Sequence, residues 1–199
     1  MNSSQHNISF APKVFVVLLA AAMFSGCTVV FESPLPRSLK TKQDERLFGR
    51  WMGRDEEGNP AYIQCERSLH GESSISFFVE KPKPSYLYLD YRNPIFRMTT
   101  TKIGNRDYMI LRYEDASKGR GHQLARYMVE GDKLTIWIMN ADKVKGVTKT
   151  GQISGEIGVG LLPGVTITDS WRKIAALLKS SKSDELFVRL GDVEKVPAK

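Results

Sequence analysis

The side chains that could do chemistry are few. The cysteines are Cys27 and Cys65, and the histidines beyond the N-terminal stretch are His70 and His122. Both histidines fall near turn signals, and neither has a second histidine or a spaced cysteine to complete a metal set. A serine nucleophile of the Gly-x-Ser-x-Gly kind needs its serine centred on a sharp turn, and Gly151-Gln152-Ile153-Ser154-Gly155 misplaces it. Gly155-x-x-Gly158-x-Gly160 lacks the strand, turn and helix order of a dinucleotide loop. The carboxylate pairs Asp55-Glu56 and Asp184-Glu185 are adjacent in sequence and read as solvated loop charges. The expectation is no catalytic residue, no cofactor and no metal. Cys27 differs from all of these, because the sequence before it gives its thiol a context.

That context has three parts. A polar stretch over residues 1–12 ends at Lys13, an apolar run covers Val14 to Phe24, and Ser25-Gly26 precede Cys27. The apolar run is too short to span a bilayer, which takes about 20 residues, and suits the core of an export signal. Phe24-Ser25-Gly26-Cys27 resembles the bacterial lipobox, although Phe24 stands where an aliphatic residue is usual. The resemblance implies a signal peptide over 1–26 and a diacylglyceryl group on Cys27, which becomes the new N-terminus. It further implies that Thr28, in place of Asp, sorts the protein to the periplasmic face of the outer membrane of a Gram-negative cell. The alternatives are an ordinary secretory signal or an uncleaved anchor.

The formal net charge is +7, and of the 29 basic residues only Lys13 lies in the signal. Positive charge on a membrane-tethered protein favours anionic headgroups; the alternative is a solvated basic surface with no specific partner. Nucleic acid is not an expected partner of an exported domain. With Cys27 acylated, Cys65 has no disulfide partner, and it reads as a small buried strand residue.

These features need a scaffold. Residues 27–43, with Pro34 and Pro36 followed by Arg37, Lys40 and Lys42, read as the lipidated cysteine and a semi-extended tether. One domain is expected over 44–192, with a tail over 193–199. Strands are predicted at 50–52, 61–67, 75–79, 86–91, 96–103, 107–114, 123–130 and 133–140, separated by turn residues. A two-residue turn at Gly131-Asp132 pairs Glu130 with Lys133, Val129 with Leu134, Tyr127 with Ile136 and Ala125 with Ile138. The opposite face then sets Arg126 against Trp137, a cation–π geometry. A turn at Gly104-Asn105 sets Phe96, Met98 and Thr100 against Tyr113, Leu111 and Met109. A three-residue loop over 119–121 sets Tyr113 opposite Tyr127 and Glu114 opposite Arg126. The inward set Phe96, Met98, Met109, Leu111, Tyr113, Tyr127, Ile136 and Ile138 could line a cavity or fill a small barrel. Tyr113 and Tyr127 are the candidate ligand contacts, each with a hydroxyl that needs a partner when buried.

Beyond Asn140, a short helix is expected over 142–150, strands near 152–157 and 165–168, and a helix capped by Ser170. Trp171, Ile174, Leu177 and Leu178 share one face of that helix, and a last strand covers 186–190.

Gly49-Arg50-Trp51 opening an all-β meander resembles the Gly-x-Trp start of the lipocalins and their bacterial relatives. The later Thr-Asp-Tyr-type motif is missing, and the segment after Asn140 is longer than in a typical lipocalin. The resemblance implies that Trp51 closes the base of a barrel and that Arg189, near the last strand, packs across it. The fold class expected is mainly β: a lipocalin-like antiparallel up-and-down barrel or meander, with one C-terminal α-helix before the last strand. The function expected is a lipid-anchored envelope lipoprotein that binds an apolar or amphipathic small molecule such as lipid. The alternative is a structural or adaptor lipoprotein with a filled barrel that docks an envelope protein.

Overall fold

Alternation of apolar and polar residues, broken by glycine turns, produces a closed antiparallel barrel in the computed structural model. The structure describes residues 29–33, 43–54, 58–67, 73–79, 96–113, 121–158 and 164–197. The barrel strands are β2 (Gly49–Arg54), β3 (Pro60–Glu66), β4 (Ser73–Val79), β5 (Phe96–Ile103), β6 (Arg106–Tyr113), β7 (Gln123–Glu130), β8 (Lys133–Met139) and β11 (Phe187–Lys195). Each pairs with its neighbour in chain order, and β11 closes the ring between β8 and β2. A second, three-stranded sheet has the order β1 (Val29–Phe31), β10 (Val165–Ile167), β9 (Gly155–Ile157). Helices α1 (Ala141–Lys149) and α2 (Trp171–Lys179) precede β11.

Two turns set register as the sequence predicts. Across Gly131-Asp132, Glu130 pairs with Lys133, Tyr127 with Ile136 and Ala125 with Ile138. The Arg126 guanidinium lies 4.3 Å from the centroid of Trp137. Across Gly104-Asn105, Phe96 pairs with Tyr113, Met98 with Leu111 and Thr100 with Met109. Gly104 and Gly131 hold φ of 64° and 58°, the left-handed region these tight turns demand.

The β6–β7 register corrects the expectation for the third hairpin. Asp107, not Tyr113, lies opposite Tyr127, and Tyr108, not Glu114, lies opposite Arg126. The three-residue loop is too short a closure, because β6 ends at Tyr113 and β7 begins only at Gln123. The slip, from Tyr113 to Asp107, is an even number of residues, so every side chain keeps its face.

The barrel wall carries cores on both sides. Inside lie Trp51, Ile63, Met98, Leu111, Tyr127, Leu134 and their neighbours. Outside, Tyr108, Ile110, Leu124 and Phe187 pack beneath β1, β10 and the faces of α1 and α2. Trp171, Ile174 and Leu178 of α2 are buried and Leu177 partly so, as the helical spacing predicts. Ser170 occupies the N-cap position, but its side chain makes no capping hydrogen bond. Asn140 does cap α1, accepting from the N–H groups of Asp142 and Lys143. Asp184, between α2 and β11, binds Arg106 at 2.8 Å and also Arg126, fastening the outer layer to β6 and β7.

Two boundaries move. The stretch expected as a tether contains β1, whose Phe31 is fully buried; its apolar Val29 and Phe31 alternate against the outer core. The last strand runs to Lys195, with Val193 buried, so the expected tail begins inside the barrel. The strand predicted over 86–91 lies outside the described residues.

Candidate functional site

One end of the barrel is closed by the segment that leads into β2. Asp44 caps a 3-10 turn over Glu45–Leu47, accepting from the backbone N–H of Arg46. That turn drops Leu47, fully buried, into the interior. Trp51 Nε1 donates to the Leu47 carbonyl at 2.8 Å, so the indole is held under the turn. From β7, the Tyr127 hydroxyl donates to Asp44 Oδ2 at 2.8 Å. From β5, Thr100 Oγ1 accepts from the Asp44 backbone N–H at 3.2 Å. Arg46 Nη2 bridges Asp44 at 2.6 Å and Asp107 of β6 at 3.0 Å. The floor thereby ties three barrel strands to the chain that enters the domain.

The charges of this floor are fixed at neutral pH. Burial works against the Asp44 carboxylate, but hydrogen bonds from Arg46 and Tyr127 prevail and hold it below the usual carboxylate range. Burial first, and then the neighbouring Asp44 carboxylate, pushes the Tyr127 phenol up. The Arg46 guanidinium is held protonated still more firmly by its bonds to Asp44, against the opposing effect of burial. Tyr127 is therefore a hydrogen-bond donor here.

Around the floor the interior is packed. Leu47, Trp51, Ala61, Ile63 and Leu134 expose no surface to a water-sized sphere. Such a side chain borders no void able to hold even one water. Phe77 and Phe96 meet edge to face with centroids 6.2 Å apart. Cys65 is buried among them, and desolvation pushes its thiol up to about 12, which leaves it inert at neutral pH.

The sequence-predicted residues thus separate. Tyr127 faces the interior with its hydroxyl engaged by Asp44. Tyr113 ends β6 opposite Phe96, and its side chain lies outside the described residues, as does Cys27. Trp51 is fully buried beneath the Leu47 turn, and Arg189 does not cover it. Arg189 is exposed and bonds Asp192 at 2.5 Å, whereas Lys195 Nζ sits 5.2 Å from the Trp51 centroid. The physical reason is register: Arg189 pairs with Trp137 of β8, and only the end of β11, at Glu194 and Lys195, reaches Met52 and Trp51 of β2.

Asp44, Arg46 and Lys195 were not legible as site residues. The available signal was Asp44 followed by an acidic Glu45 before an apolar Leu47, an N-cap pattern at the door of the barrel.

A cleft of about 780 Å³ opens on the outer wall of β2 and β3, bordered by the β7–β8 turn and the end of β11. Arg50, Met52 and Tyr62 line it because they alternate with the inward Trp51 and Ile63. The Arg50 guanidinium stacks 3.7 Å from the Tyr62 centroid and covers that ring, which is 8 % exposed, while Met52 is 38 % exposed. Glu130, Asp132, Lys133, Glu194 and Lys195 ring this apolar and aromatic centre with both signs of charge. Its edge is rigid: Lys195 N–H donates to the Asp132 carbonyl at 2.7 Å and Val196 N–H to the Arg50 carbonyl at 2.8 Å. Arginine, methionine and aromatic residues are the types enriched at protein interfaces.

No protein-family model, curated protein or solved structure matches the chain. Among the described residues, no group of three or more His, Cys, Asp or Glu side chains is placed to hold a metal ion, and no helix is long and apolar enough to cross a membrane.

Proposed function

We propose that this chain is a lipid-anchored adaptor lipoprotein of the bacterial cell envelope. Its filled barrel is a rigid body, and the outer cleft around Arg50, Met52 and Tyr62 docks a protein partner. The observation that carries this reading is the packed interior. A pocket for a lipid-sized ligand takes roughly 300–1,000 Å³ lined by side chains that the ligand touches. Leu47, Trp51, Ile63 and Leu134 are already closed to a single water, and Met98, Met109 and Leu111 beyond the floor are at most 2 % exposed. The anchor itself rests on Cys27 and the apolar run before it, and no enzymatic step is assigned.

Native mass spectrometry of the protein purified from its membrane tests the choice. The expected mass is the acylated polypeptide alone, with added fatty acid giving no stoichiometric adduct. A one-to-one noncovalent lipid would overturn the adaptor reading in favour of a lipid-binding barrel.

A further inference from the structure

We propose that the β1–β10–β9 side of the domain lies against the lipid bilayer, and that the cleft at Arg50, Met52 and Tyr62 is turned away from it. The inference rests on the reading of Cys27 as the acylated N-terminus.

The strand next to that cysteine is locked into the domain. Val29 is 5 % exposed and Phe31 0 %. Val29, Val30 and Phe31 pair in parallel with Val165, Thr166 and Ile167. Phe31 and His122 exchange backbone hydrogen bonds of 2.7 and 2.9 Å, fixing β1 beside β7 as well. The Phe31 ring stacks on Trp171 at 5.1 Å, and Trp171 Nε1 donates to the Ser33 carbonyl at 2.8 Å. A Cβ on Gly121 would collide with Val30 Cγ1 and stand 2.8 Å from the Phe31 carbonyl oxygen, and Gly121 holds φ of 92°, so that position admits glycine alone.

Only Thr28 separates Cys27 from this strand. Two residue steps, fully extended, reach at most about 7 Å. The acyl chains must lie in the hydrocarbon, which holds the cysteine backbone at headgroup level. The Val29 end of β1 is therefore carried to the headgroups, and the domain has no slack in which to turn over. Register places Val165 and Ile157 at that same end. Gly158 N–H donates to the Gly164 carbonyl at 2.9 Å beside them. β1 joins β7 at His122, just before its first residue, whereas the cleft meets β7 only at Glu130, its last residue, and otherwise lies on β2 and β3, three and four places round the closed barrel. The cleft on β2 and β3 therefore opens on the far side from the anchor.

Reporter cysteines on the acylated protein in vesicles of phosphatidylethanolamine and phosphatidylglycerol test this. Glu156→Cys places a fluorophore on exposed β9, and Met52→Cys places one in the cleft; buried Cys65 leaves the parent unlabelled. Melting curves establish that each variant is folded, and Thr166→Cys is a second reporter on β10. Headgroup spin-labelled lipid is expected to quench the β9 and β10 probes several-fold more than the probe at 52. A flexible Gly-Ser spacer of about ten residues after Thr28, with a reach of roughly 17 Å, should abolish that difference. Equal quenching at both faces in the unspaced protein, with intact mass showing the acyl groups, would overturn the orientation and leave the anchor standing. An unmodified Cys27 and no retention on vesicles would remove the anchor and the orientation together.

Discussion

Tyr127→Phe removes one oxygen from the barrel floor and leaves the ring in place. That oxygen donates to a carboxylate at 2.8 Å, and a hydrogen bond to a charged partner contributes about 1.5–3 kcal/mol. Asp44 keeps its bonds to Arg46, and its side chain is 16 % exposed, so water partly replaces the lost hydroxyl. The expected cost therefore sits at the low end, about 1.5 kcal/mol. With a urea slope of about 1–3 kcal/mol per molar, the midpoint falls by roughly 0.5–1.5 M. Equilibrium unfolding of the domain from Thr28 onward, followed by tryptophan fluorescence, reads this directly. Asp44→Ala and the double variant complete a cycle, and a coupling of about 1 kcal/mol is expected for side chains in direct contact. The Asp44 carboxyl is held below its ordinary value, so its contribution is present at neutral pH and is lost as acid protonates it. An unchanged midpoint, or strictly additive single substitutions, would refute the reasoning that this bond holds the floor.

Trp51→Ala should cost about 3–5 kcal/mol, as removal of a fully buried aromatic does, and lower the melting temperature by about 6–20 °C. Arg189→Ala should cost less than about 1 kcal/mol, the range of an exposed ion pair; equal losses for the two substitutions would reinstate their contact. Asp192, despite the opposing effect of burial, is held down to about 2 by Arg189, Lys133 and Thr135. Its contribution should be complete above about pH 4 and disappear towards pH 2, amounting to roughly 1 kcal/mol or less after solvent screening; an acid unfolding profile unchanged by Asp192→Asn would contradict it. Cys27→Ala should abolish palmitate labelling and leave the precursor uncleaved, and persistent labelling would move the acylation site elsewhere.

The two tight turns were readable because each fixes register locally, and alternation on both flanking strands allows one answer. The face of Tyr127 was readable for the same reason, and it survived an error in its partner because the slip was even. The partner of its hydroxyl was not readable. Asp44 lies 83 positions away in sequence, and nothing in local pattern says which carboxylate a barrel floor will bring to a phenol. The outer layer was half readable: the amphipathic face of α2 announces that it covers something. The three residues of β1 carry too short a pattern to be told from a proline-rich linker. Arg189 was misplaced because resemblance supplies a role but not a register, and the irregularity in β11 between Arg189 and Gly191 displaces the pairing of the strand's last residues.

Both sheets are finished by strands late in the sequence, β10 and β11. Ser33 and Trp171, which meet beside β1, are 138 positions apart, and β2 waits for the last residues of β11 to close the barrel. During synthesis, β1 waits for β10, and the edge of β2 not covered by β3 waits for the end of β11, and such distant pairings fold slowly. A premature stop before β11 would leave β2 and β8 as open edges, each a template for another chain. For this protein, losing β11 is an aggregation lesion, not a trimmed tail.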